Sequence, residues 1–450
     1  MIIKSVNPYS QAVIAEHEVL TNAQLAQKIE LSEKAFKNWR NTTFQERADK
    51  MQKLANILRT KKEELGLLIT NEMGKILSEG ISEVQKSAGN CDFYAENAEK
   101  ILKDVYYDTP FKSMSVYDPS GAIFAVMPWN YPFWQVFRYA APAVMAGNVT
   151  ILKHASNVQG CAKAIESAFL EAGFPEGVFQ QVTISLSQVE FIIASDIVSG
   201  VTLTGSEMAG SSVASLAGKH IKKTVMELGG SDAFIVLDDA NIEKAATVAT
   251  QSRMLNAGQA CICAKRFIVT EKVADEFVNI FARKIAELKQ GNPLQNGINM
   301  GPLAKLEFAN TLSSQLEKSL QQGAKILVGG EQDNCNFQPT LIDFVDSNNI
   351  AFQEETFGPL ATITRAKNEN DAIEIANNHR YGLASAIWTE DGENAYKLAR
   401  RIEAGNVFVN SLVRSDSRIP FGGIKKSGYG RELSDIGMKE FMNMKSIIIE

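Results

Sequence analysis

The sequence predicts an α/β protein: two doubly wound α/β domains, with an additional β arm for oligomerisation. Three observations carry that class. The chain has 450 residues, more than a single hydrophobic core organises, so at least two domains are expected. From 122 to 228, short β-branched runs alternate with helical periods, and a second alternating set runs from 232 to 425. Strand–helix alternation implies right-handed crossovers and mainly parallel sheets. Between the N-terminal helices and the first set lies "VYYDTPFKSMSVYDPSG", which belongs to neither pattern.

The elements follow in chain order. Residues 21–103 carry apolar side chains at helical spacing beneath charged faces and read as a helical block. Residues 105–121 read as two strands, with turn residues at Thr109-Pro110 and Pro119-Ser120-Gly121. A lone two-stranded ribbon is marginal in water, so this arm is expected to pair with another subunit. In the first alternating set, "GAIFAVMP", "NVTILK", "FQQVTI", "VSGVTLTG" and "KKTVMELGG" are strands. "FRYAAPAVMAG", "QGCAKAIESAFLEAG" and "LSQVEFIIAS" are the helices between them. The second set places strands at "DAFIVL", "RFIVT", "AKILVGG", "ATITRA", "ASAIWT" and "NVFVN". The closing run "MKSIIIE" is a strand whose β-branched edge suits a subunit interface.

Composition narrows the function classes. Apolar residues make up 45% and charged residues 22%, as in ordinary globular chains. Lys plus Arg is 46 against 52 Asp plus Glu, a net charge of -6, which argues against nucleic acid as a partner. No 18-residue apolar run and no leader-like N-terminus are present, so no membrane partner is expected. Five scattered cysteines are not a disulfide framework, and a cytoplasmic location is expected.

Four loops hold candidate chemistry. Gly205-Ser206 opens a helix after the strand "GVTLT", a place for a phosphate or for a simple helix cap. "MPWNYPFWQVFR" stiffens Asn130 between two prolines at a strand's carboxyl end. Its amide suits a developing oxyanion, or else closes a local turn. "TVMELGGSD" ends a strand in Glu227 before two glycines, a general base or a solvent-facing carboxylate. "NAGQACICAKR" carries Cys261 and Cys263. The four histidines, His17, His154, His220 and His379, show no ligand spacing, so no metal site is expected. A small buried core pair and a nucleophile remain.

In this order, PWNYP, GSEMAG, ELGG and NAGQACICAKR resemble the aldehyde dehydrogenase superfamily, as do EETFGP and FGGIKKSGYGRE further on. The likeness spans essentially the whole chain and is closest to the succinate-semialdehyde dehydrogenase branch. It implies a Rossmann-like NAD(P)-binding domain at 1–104 and 126–228, and a catalytic domain at 229–425. It implies an oligomerisation arm from 105–125 and 426–450, in a homodimer or homotetramer. Cys261 matches the nucleophile, whose adduct becomes a thioester. Asn130 and the Cys261 N–H match the oxyanion donors, and Glu227 the base for hydrolysis. Trp129, Lys153, Ser156, Gly205, Ser206, Glu355 and Phe357 match cofactor positions. Ser156 stands where many NAD-preferring members have Glu, so NADP is expected to be accepted or preferred. His154 is a possible obstruction there.

For a small-molecule aldehyde substrate, the resemblance points to succinate semialdehyde, with Arg138 and Ser415 matching carboxylate-binding positions. Two departures stand out. Leu255 occupies the position of a second arginine, and Arg253, two residues earlier, points about 200° away on a helix. Arg414 or Arg418 are candidate substitutes, and glutarate semialdehyde is an alternative substrate. Tyr139 replaces a lysine that often lies near the family's equivalent of Glu432. Glu227 argues against an acylating enzyme that passes its thioester to coenzyme A. The presence of Cys261, Asn130 and Glu227 argues against a catalytically silent binding relative. Cys263 is either a small core residue or a redox partner for Cys261.

Overall fold

The computed structural model describes residues 1–450. Four helices form the predicted N-terminal block: Asn22–Trp39, Phe44–Thr60, Lys62–Met73 and Leu77–Ile101. The first two begin in capping boxes, Thr21 with Gln24 and Thr43 with Glu46. Such boxes satisfy backbone N–H groups left over at a helix start. The third helix stops at Gly74, at φ 84°, where a side chain would be strained. The first helix is tied to the helix Trp134–Met145 by Trp39 Nε1, which donates to the Val144 carbonyl at 3.0 Å.

The first sheet has six strands. Ala122–Met127 lies inside it, with Val149–His154 and Phe179–Gln181 on one flank. Val198–Thr204 and Lys223–Glu227 lie on the other flank, and these five strands are parallel. Strand order therefore reverses between 122–127 and 198–204, which opens a crevice at their carboxyl ends. The loops carrying Trp129-Asn130 and Gly205-Ser206 leave the sheet there.

The second sheet has seven strands, in the order Lys325–Val328, Thr340–Asp343, Leu360–Ala366, Ala264–Thr270, Asp232–Val236, Ala384–Trp388, Asn406–Val409. All pairings are parallel except the Lys325–Val328 edge. Three further residue runs make the arm: Met442–Ile449 pairs antiparallel with Lys112–Pro119, and Val105–Tyr107 pairs on the far side. The two doubly wound sheets and the arm are the expected class.

Two expected boundaries move. The strand from Ala122 is already in the first sheet, so the arm's first segment ends before 125. Gly428–Tyr429 pairs with Lys223–Glu227 at the edge of that sheet, so the beginning of the 426–450 tail is not arm. Several short strands go beyond the sequence reading. Ile2–Val6 and Val13–Glu18 form a hairpin, anchored by Ser5, whose hydroxyl donates to Glu72 at 2.7 Å. Thr340–Asp343 is only four residues long, too short to show a period, and is recruited by its neighbours in the sheet.

Candidate active site

The cysteine loop is built on unusual backbone. After the helix Ile242–Met254 the chain turns through Asn256, Ala257 and Gly258, at φ 53°, 53° and 72°. Non-glycine residues pay for such conformations, so side-chain contacts must hold them. Asn256 N–H donates to Glu79 at 3.1 Å, and its amide donates to the carbonyls of Asn130 and Gln259 at 2.9 and 3.1 Å. Arg253, fully buried, donates to the carbonyls of Ala264, Gly258, Thr356 and Gly358. It pegs the cysteine loop to the EETFGP loop and does not reach the position that Leu255 leaves without an arginine. From below, Lys265 donates to the carbonyls of Ala260, Cys261 and Cys263 at 3.0, 2.8 and 3.2 Å.

Two cavities meet at Cys261. One, of about 250 Å³, is lined by Trp129, Asn130, Gly205, Ser206, Glu355 and Phe357, among others. Trp129 stacks on Phe308 at 4.8 Å, and Phe357 meets it edge-on at 5.7 Å. Ser206 caps the helix Glu207–Lys219, whose N-terminus favours an anion. At Gly229 an added Cβ would collide with the Glu355 carboxylate. An aromatic-walled cleft at the switch point, with Ser206 and a helix N-terminus at one end, fits the nicotinamide side of a dinucleotide. The second cavity, of about 210 Å³, is lined by Lys86, Trp134, Arg138, Arg414, Ser415 and Phe421, among others. Its size suits a small molecule.

Cys261 has two candidate donors beside it. Its own backbone N–H donates to no protein atom. The Asn130 amide donates once, to the Gln259 carbonyl at 3.0 Å, and an amide has a second hydrogen to offer. The thiol is pushed up to about 12 by burial, with Arg138 and Lys265 pulling the other way. The side chain is half-buried and lines both cavities.

The family model for aldehyde dehydrogenases matches residues 1–447. The chain is 46% identical to a probable succinate-semialdehyde dehydrogenase (NADP(+)) of Synechocystis sp., across 100% of both chains. This chain belongs to the aldehyde dehydrogenase family. It is also 42% identical to the succinate semialdehyde dehydrogenase (NAD(P)+) Sad of Escherichia coli, over 93% of this chain and 92% of that one. Among solved structures, the succinic semialdehyde dehydrogenase of Streptococcus pyogenes in complex with NADP+ superposes with a TM-score of 0.97. Identity there is 37%, over 99% of each chain.

In this aldehyde dehydrogenase, Trp129, Asn130, Gly205, Ser206, Glu355, Phe357 and Cys261 share one cavity as the motifs suggest. Lys153 and Ser156 lie outside it, at the carboxyl end of Val149–His154 and on the turn that follows. Ser156 is exposed. His154 does not crowd that site. It is buried, donates through Nε2 to the Pro132 carbonyl at 2.9 Å, and accepts from Ala155 N–H at 3.0 Å. Burial drops its pKa to about 4, so a neutral imidazole braces the PWNYP loop.

Arg138 and Glu227 sit differently from expectation. Arg138 reaches the second cavity, but its guanidinium makes an ion pair with Glu432 and lies 3.9 Å from Glu227. Tyr139 therefore leaves Glu432 with a cation after all: its neighbour in sequence. Glu227 is 2% exposed and lines neither cavity at Cys261. Burial raises its pKa above the usual carboxylate range, against the pull of Arg138. In this aldehyde dehydrogenase the candidate base thus rests behind the cavity wall.

Three residues escaped the sequence reading. Lys86 donates to Ser415 at 2.9 Å and lies over the Trp134 ring at 4.0 Å. Gln135 lines both cavities. Lys265 underpins the Cys261 loop. Lys86 sits in a helix rich in polar residues and carries no local signal; Lys265, four residues after Cys261, was findable from its place in the motif. Cys261 and Cys263 are free thiols. Cys263 is buried and its thiol donates to the Leu255 carbonyl at 3.6 Å, the contact of a core residue. A disulfide with Cys261 would have to withdraw it from there.

Proposed function

We propose that this enzyme oxidises a short carboxylated aldehyde, succinate semialdehyde foremost, to the acid, with NADP+ favoured and NAD+ accepted. The observation that carries the reading is the position of Cys261, where an aromatic-lined cleft meets a small, partly apolar cavity that Lys86, Arg138 and Arg414 help to line. The Cys261 thiolate attacks the aldehyde carbon, and the carbonyl electrons move to oxygen. That oxyanion accepts from the Asn130 amide and the Cys261 N–H, each of which has a hydrogen to offer. When bound, the nicotinamide supplies the acceptor for the hydride that leaves this carbon. Cys261 then carries a thioester. Glu227, once swung from behind the wall, takes the proton of the water that attacks the thioester, and the C–S bond breaks to release acid and thiolate.

The cofactor preference rests on Ser156. Without a carboxylate there, nothing repels a 2′-phosphate, and Lys153 on the adjoining strand attracts it. The relatives of Synechocystis and Streptococcus pyogenes, described with NADP, support the same choice. We also assign the two sheets to a cofactor and a catalytic domain, and the exposed arm, with Tyr106 and Ile448 61% and 64% exposed, to pairing of subunits in a homodimer or homotetramer. Light scattering on the purified chain tests that pairing. No helix is long and apolar enough to cross a membrane, and five free thiols suit the reducing cytoplasm.

A panel of aldehydes tests the main reading. Succinate semialdehyde is expected to give the highest kcat/KM, above glutarate semialdehyde and above the neutral four-carbon butanal. A preference for butanal would overturn it.

A further inference from the structure

Lys86 is a cation that the protein leaves without a counter-ion. Its nearest acid in sequence is Glu83, one turn back on Leu77–Ile101, normally a helix partner. Glu83 is fully occupied elsewhere. One oxygen pairs with Lys75 at 2.5 Å, and the other accepts the N–H groups of Phe133 and Trp134 at 2.8 and 3.0 Å. Asp416, beside the same cavity, pairs with Arg418 at 2.6 Å. Lys86 makes no ion pair, and its one side-chain hydrogen bond goes to the neutral Ser415.

The other cations near the cavity differ. Arg138 is closed between Glu432 and Glu227. Lys75 is buried against Glu83. Lys265 is turned to backbone carbonyls and Glu355. Arg414 lines the cavity, but no ring or hydrogen bond fixes its side chain. Lys86 alone is held in place, by the Trp134 ring face on one side and Ser415 on the other. An ammonium has three donors, and Ser415 takes one. A ring face holds a cation without neutralising it. A charge held in place without an ion pair is free to bind an anion that arrives with a ligand.

We propose that Lys86, together with Ser415, is the receptor for the substrate's carboxylate, the specificity-determining cation of this site. The proposal rests on the reading that the substrate is a carboxylated aldehyde. Lys86 takes the role the missing arginine at 255 leaves open, from a different element and through a single charge rather than a fork. Arg138, already paired with Glu432 and 3.9 Å from Glu227, instead governs the charge around Glu227.

The test compares succinate semialdehyde with butanal on the full-length enzyme, wild type against Lys86→Gln and Lys86→Arg. Loss of a charge-assisted hydrogen bond predicts that Lys86→Gln lowers the succinate semialdehyde to butanal ratio of kcat/KM about 10–100-fold. Most of the change is expected in KM. Lys86→Arg is expected to restore much of the ratio, and succinate, as a product inhibitor, to bind Lys86→Gln more weakly by a similar factor. Equal losses on both aldehydes would mean a structural role and overturn the proposal. So would an unchanged ratio, or a selective loss that appears in Arg414→Gln and not in Lys86→Gln. A wild-type enzyme without preference for the carboxylated aldehyde would instead refute the substrate reading itself.

Discussion

Arg138 and Glu432 form a buried ion pair, both side chains under 5% exposed, across the seam between the first sheet's helix and the tail. Glu227 completes the group at 3.9 Å from the same guanidinium. One cation thus holds two carboxylates, and one of the two is the candidate base. Binding a third carboxylate from substrate would require Arg138 to give up one of these.

Removing the cation should cost stability more than affinity. Arg138→Met leaves two buried carboxylates without a counter-charge, and breaking such a pair costs roughly 3–5 kcal/mol. Urea unfolding should show a lower midpoint by a corresponding amount. Glu432→Gln should cost less, since Arg138 keeps Glu227. A wild-type midpoint for Arg138→Met would show that the group is loosely held.

Acyl-enzyme hydrolysis should rise with pH beyond the ordinary carboxylate range. Glu227 is raised above that range by burial, so it is protonated and idle as a base at the acid end and gains basicity as pH climbs. Pre-steady-state release of acid from the Cys261 thioester, followed from pH 5 to 9, reads this directly. Glu227→Gln should flatten the profile and slow hydrolysis about 10²–10⁴-fold, the usual contribution of a general base. A profile unchanged in that variant would assign the base elsewhere.

Cofactor choice should turn on Ser156. A carboxylate placed there by Ser156→Glu faces the 2′-phosphate of NADP+, and like charges brought together cost several kcal/mol. The kcat/KM ratio of NADP+ to NAD+ should fall by about 100-fold or more. Equal ratios in variant and wild type would move the discrimination to Lys153.

A Cys261–Cys263 bridge makes its own prediction. Peroxide should inactivate the wild type, dithiothreitol should restore it, and Cys263→Ala should lose that recovery as Cys261 oxidises further. Equal recovery in both proteins would leave Cys263 as the core residue its contact with Leu255 describes.

Much of the fold was legible because its signals are local. Strands such as Ala122–Met127 are continuous apolar runs, and the N-terminal helices show a helical period. The hairpin at Ile2–Val6 was not legible, since its anchors, Glu72 and Lys163, lie far along the chain. In the site, Cys261 and Asn130 could be read from their motifs, because a rigid turn and a nucleophile on it are sequence-local. Arg138 read as a free guanidinium, because its partner Glu432 lies on a distant segment.

By itself the sequence determined the α/β class, the order of the motifs and the candidate nucleophile, all of which follow from short-range patterning. Only the tertiary structure decided which charges remain available to a ligand. Lys86 resembles any surface lysine on its helix until Glu83 is seen bound to Lys75 and to the backbone of Phe133 and Trp134. A charge's availability depends on which opposite charges lie within a few ångströms, and folding sets those distances between residues far apart in the chain.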